Sequence, residues 1–124
     1  MTVRWGQVLA ALAGLAGAAG VALAAVAAHK LQLPALASAA SMLQLHAIAA
    51  LAVVGVALGV SRPVPWLLAG SVMLFGAALF AATLTLPAFG ITVLPPRVAP
   101  VGGSLTILGW VLVALSAALT FKPR

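Results

Sequence analysis

Apolar residues run through this chain in four long blocks, approximately 6–28, 36–60, 66–86 and 103–121, with few polar positions inside them. A helix needs about 20 largely apolar residues to cross the hydrocarbon of a bilayer, so each block predicts one transmembrane helix. The interruptions are chemical as well as hydropathic. Lys30 and Pro34 separate the first pair, Ser61-Arg62-Pro63-Val64-Pro65 the second, and Pro87, Gly90, Pro95, Pro96 and Pro100 punctuate the third break. Proline has no amide hydrogen and disfavours helix at the residue before it, which makes these stretches boundaries. The third break also carries Phe89, Ile91, Val93 and Leu94. Irregular backbone deep in lipid must find hydrogen bonds in protein or water, so this segment is expected as an interfacial lid rather than a re-entrant loop.

Composition strengthens the membrane reading. Of 124 residues, 65% are hydrophobic, 5% are charged and none is Asp or Glu. A mean hydropathy of +1.31 lies outside the range of soluble domains, and the length allows a single one. The expected architecture is an all-α integral membrane protein, one domain over residues 1–124, with four transmembrane helices in a compact bundle. The first block, preceded by Arg4 and ending near Ala25-Val26-Ala27, resembles a secretory signal. Its apolar run exceeds the about 7 to 15 residues of a signal core, so a retained helix is expected.

The cations are Arg4, Lys30, Arg62, Arg97, Lys122 and Arg124, scattered singly. No basic stripe suits a nucleic acid, and the expected partners are the bilayer and its anionic headgroups. Four spans put both termini and the Arg62 loop on one side, with Lys30 and Arg97 on the other. The positive-inside rule then predicts cytoplasmic termini, with Trp5, Trp66 and Phe121 in an aromatic belt at that interface.

In lipid, apolar surface alone does not draw helices together, and close packing of small residues takes its place. Ala16, Gly20, Ala24 and Ala28 recur every four residues in the first span, and Gly55-x-x-x-Gly59 lies in the second. These predict packing faces, within one subunit before between subunits.

The missing carboxylates remove the commonest general acids and bases, hard-cation ligands and the acidic relays of pumps. The absence of Cys removes disulfides and thiolate chemistry. His46 is the most informative side chain, because an ionisable group inside a span is costly without a partner or a purpose. Met42 lies one turn before it, and imidazole with thioether suits a soft metal such as copper. The competing reading is a neutral histidine bonded to a carbonyl or hydroxyl of another helix. His29 ends the first span and is expected to meet its last carbonyls. With His46 roughly ten residues, or about 15 Å, into its own span, the two histidines are not expected to share a ligand. Val101-Gly102-Gly103-Ser104 lacks the order of a nucleophile elbow, and its glycines are expected to turn the chain into the fourth span. Trp110 lies too deep for the belt, so its indole N–H is expected to have a partner.

Taken in order, Ala27-Ala28-His29, Met42-Leu43-Gln44-Leu45-His46-Ala47, Leu74 to Phe80, Pro100-Val101-Gly102-Gly103 and Gly109-Trp110 resemble the YgdD/YwdK-like small membrane protein family. That family is known as domain of unknown function 423, with transmembrane protein 256 as its eukaryotic counterpart. The resemblance implies a multi-pass protein of the bacterial inner membrane or plasma membrane and brings no established reaction. The family motif residues are His29, His46, Pro100, Gly102, Gly103, Gly109 and Trp110. Where the family carries a serine-rich third span, this chain has Gly76, Ala77 and Ala78, and Ala99 replaces the usual threonine. Those losses favour a structural role.

The function expected on these grounds is non-enzymatic and without cofactor: a small scaffold or accessory subunit of a membrane complex or homo-oligomer. The alternative is a metal- or haem-binding module using His46 with Met42 or His29. A small oligomeric transporter is a third reading, disfavoured by the lack of a charged relay.

Overall fold

A computed structural model of the protein describes residues 1–120, the side chain of Leu31 aside. The expectations placed on Phe121, Lys122 and Arg124 lie outside the described residues. Among the described residues, four helices are long and apolar enough to cross a membrane. They are α1 (Thr2–Val26), α2 (Pro34–Gly59), α3 (Val64–Thr85) and α4 (Val98–Thr120). Short connections make sequence neighbours antiparallel, so α2 and α4 run in the same direction.

The prolines open helices as much as they end them. Pro34 is the first residue of α2, Pro65 stands in the first turn of α3, and Pro100 in that of α4. Amides in the first turn have no intrahelical acceptor, so proline costs nothing there. This corrects the expected start of the fourth span, which begins at Val98 rather than near residue 103. Gly102 and Gly103 are therefore helical and do not form a turn.

At the end distant from the N-terminus, α1 widens into a π-turn, Ala27–Leu31. Gln32 then adopts a left-handed conformation with φ 42°, and Leu33 is extended before Pro34. Between α3 and α4, a 3-10 turn (Leu86–Phe89) closes on Gly90 at φ 78°, followed by irregular chain to Pro96. Phe89, Ile91 and Val93 are exposed there.

The core sits on α2 and α3. Over its most apolar stretch α3 is 50% buried, against 17% for α1 and for α4. One face of α3 (Leu67, Gly70, Leu74) meets the other helices in a cluster with Leu9, Ala13, Ala50, Val53 and Val54. Its other face meets α4. There Gly102, Thr106, Gly109 and Ser116 are the buried residues of α4, spaced so that they line one side of the helix. A Cβ on Gly102 would lie 2.6 Å from the backbone nitrogen of Phe80 and 2.7 Å from the Gly76 carbonyl oxygen. A Cβ on Gly109 would lie 2.6 Å from that of Met73. Three glycines, Gly76, Gly102 and Gly109, thus let the backbones of α3 and α4 approach closely, as small residues do in lipid.

The stripe expected in the first span faces α2 over part of its length. Gly20 is buried against Ala40 and Gln44, and Ala16 packs beside Leu43 and Ala39, whereas Ala28 is exposed in the π-turn. Gly55 and Gly59 are corrected as packing positions of the bundle, because both point outward with no atom within 4 Å of a Cβ. Trp66 lies at the start of α3, as expected of a belt residue, but its ring is buried in the core.

Candidate functional site

His46 is 3% exposed and faces α4. It stands about 18 Å from the start of α2 at 1.5 Å per residue. Trp110 stands equally far from the start of α4, and the two helices run in parallel, so both residues lie at one depth. In hydrocarbon about 30 Å thick, that depth is near the middle.

Both ring nitrogens of His46 are engaged. Nδ1 lies 2.8 Å from the Met42 carbonyl oxygen, and Trp110 Nε1 lies 3.3 Å from Nε2. A carbonyl only accepts and an indole N–H only donates. Nδ1 therefore carries the hydrogen, and Nε2 accepts from Trp110 with its one lone pair. The rings meet edge to face, with centroids 6.2 Å apart and planes at 62°. The expected carbonyl partner is present, but on the histidine's own helix, because a turn earlier in α2 the carbonyl of Met42 is already within reach. The contact with another helix is the indole of Trp110, which also answers the need of that indole.

This arrangement bears directly on metal or haem ligation. Coordination through Nε2 would displace the indole N–H, and coordination through Nδ1 would require that nitrogen to lose its hydrogen. Met42 reaches His46 through its backbone carbonyl. His29 lies in the π-turn, exposed, and its ring makes no hydrogen bond among the described residues, so the expected contact with the last carbonyls of α1 is not formed. Among the described residues no group of three or more His, Cys, Asp or Glu gathers at one place. Four grooves on the bundle are lined by other residues than His29, Met42 and His46.

The remaining polar side chains mostly bond within their own helices. Ser41, Ser71, Thr83, Ser104 and Ser116 each donate to the carbonyl four residues back, and Thr106 to that of Gly103. Ser104 is thus turned to Pro100, at 2.9 Å, and does not meet a histidine. Trp5 Nε1 donates to Ser71 Oγ at 3.0 Å, tying α1 to α3. Sequence reasoning missed Ser71 as that partner and Gly76 as a packing position. The seven-residue interval between Gly102 and Gly109 was the available signal for the seam on α4.

Comparison with known proteins gives a family match. The family model described as protein of unknown function (DUF423) matches residues 23–103. The matched stretch contains His29, His46, Pro100, Gly102 and Gly103, while Gly109 and Trp110 lie beyond it. No curated protein and no solved structure matches the chain.

Proposed function

Because this chain belongs to the DUF423 family, whose description assigns no reaction, we propose its role from its own chemistry: a non-enzymatic, multi-pass membrane protein that works by helix packing, as a small scaffold or accessory subunit. One observation carries the reading. The ionisable side chain that the fold buries at mid-depth, His46, has both nitrogens occupied, Nδ1 by the Met42 carbonyl of its own helix and Nε2 by the Trp110 indole that joins α2 to α4. Such a histidine holds the bundle together and has no lone pair left for a ligand. Most serine and threonine hydroxyls of the helices are likewise consumed by neighbouring backbone carbonyls.

We further propose that both termini face the cytoplasm, in an inner or plasma membrane. Support comes from the charge count of the sequence, in which four spans put Arg4, Arg62, Lys122 and Arg124 on one side against Lys30 and Arg97 on the other.

The test is gentle detergent extraction from native membranes, with co-purifying proteins read by mass spectrometry and metal and haem measured in the same sample. The expected result is a stoichiometric protein partner, or self-association, with metal and haem far below one per chain. Stoichiometric metal or haem that disappears in His46→Gln would overturn the proposal.

A further inference from the structure

Gln44 is a partly exposed side chain of α2 whose amide is without a partner among the described residues, whereas the unpartnered Trp66 indole N–H and Thr85 hydroxyl are enclosed within the bundle. Gln44 lies about 15 Å along α2 at 1.5 Å per residue, well inside hydrocarbon about 30 Å thick. Its amide makes no hydrogen bond among the described residues. Its placement is nonetheless specific. A Cβ on Gly20 would lie 2.8 Å from Gln44 Cγ and 3.1 Å from the Gln44 backbone nitrogen, so only glycine lets this side chain lie across α1. Beyond Gly20, Gln44 borders two adjoining grooves between α1 and α2, of about 380 and 250 Å³. The larger is edged by Ala18, Val21, Ile48 and Leu51, all exposed, so it opens away from the bundle. Ser41, on the smaller, already donates to the Ala37 carbonyl.

Lipid chains can fill an apolar groove, but they offer an amide neither donor nor acceptor. Leaving the groups of an amide unpaired in hydrocarbon costs several kcal/mol. The occupant must therefore bring a polar group to this depth. A primary amide carries both a carbonyl oxygen and N–H donors, so it is complementary to itself. A second copy related by a two-fold axis brings its own Gln44 to the same depth, and self-complementary two-fold interfaces are the commonest in homo-oligomers.

We propose that the groove between α1 and α2 is the interface between two copies of this chain, joined by reciprocal hydrogen bonds between the two Gln44 amides near the two-fold axis. This deepens the assembly role proposed above and rests on it.

The chain has no cysteine, so single cysteines report contacts without background. Ile48→Cys places a thiol on the edge of the groove, and Val111→Cys places one on the exposed side of α4. Each is oxidised with copper phenanthroline in native membranes and read by mass on a denaturing gel. Ile48→Cys is expected to give a covalent dimer and Val111→Cys little. Adding Gln44→Leu, which keeps bulk and helix propensity, is expected to lower the Ile48 cross-link about fivefold, the effect of losing the reciprocal pair of interhelical hydrogen bonds. Equal cross-linking at both sites, insensitivity to Gln44→Leu, or an adduct with a different protein would overturn the proposal. The failures are distinguishable: a foreign subunit without a dimer leaves the assembly role standing, whereas His46-dependent haem removes that role whether or not the dimer forms.

Discussion

Replacing Gly102 with alanine tests whether close backbone approach holds α4 to α3. The added methyl would sit 2.6 Å from the Phe80 nitrogen, 2.7 Å from the Gly76 oxygen and 2.9 Å from the Phe80 Cα. Carbon contacts are optimal at about 3.5 to 4.0 Å, so α4 must retreat by about 1 Å. None of the three atoms can rotate aside, since all belong to backbone. A gap of about 0.5 to 1 Å forfeits a quarter to a half of each dispersion contact it opens, and overpacking costs about 1 to 3 kcal/mol. Against this, alanine is favoured over glycine inside a helix by about 1 kcal/mol. The clash wins, because in lipid packing is what joins the helices and no hydrophobic term compensates. Because all three crowded atoms are backbone, the overpacking cost falls at the upper end of that range, and the expected net loss is about 2 kcal/mol. Gly55→Ala meets no atom within 4 Å and is the control, keeping or gaining up to about 1 kcal/mol. The assay is unfolding in mixed micelles titrated with denaturing detergent, followed by circular dichroism. A Gly102→Ala protein as stable as the parent, or more so, would refute the reasoning.

Three other outcomes follow from the same geometry. In a double-mutant cycle, His46→Leu and Trp110→Phe are expected to show a favourable coupling of about 0.5 to 1.5 kcal/mol, the range of interhelical hydrogen bonds; zero coupling in micelle unfolding would mean that the 3.3 Å contact contributes nothing. Gln32, at φ 42°, pays the about 1 to 2 kcal/mol of a left-handed residue, so Gln32→Gly should raise the unfolding midpoint and Gln32→Val lower it; the reverse order would refute the strain. Single cysteines at Ser61 and Gln32, labelled in intact cells with a membrane-impermeant maleimide, should react at residue 32 alone, and labelling at residue 61 alone would reverse the proposed orientation.

Four spans and the depth of His46 were legible in the sequence, because each depends on quantities that accumulate along the chain. Hydrocarbon thickness sets how many apolar residues a span needs, and 1.5 Å per residue turns a position into a depth. Trp110 was legible as deeper than an interfacial belt but not as level with His46, because α4 begins at Val98 and not near residue 103. Which faces pack was not legible. In a soluble helix the apolar stripe points to the core, but here lipid and core are equally apolar, and nonpolar residues surround each helix almost evenly. Hence Gly55-x-x-x-Gly59 looked like a packing motif and faces outward, while Gly76, Gly102 and Gly109 form the seam. Pro100 looked like the end of a loop and lies inside the first turn of α4. The tertiary structure decided these points, because only the approach of a second backbone separates a glycine that is needed from one that is merely small.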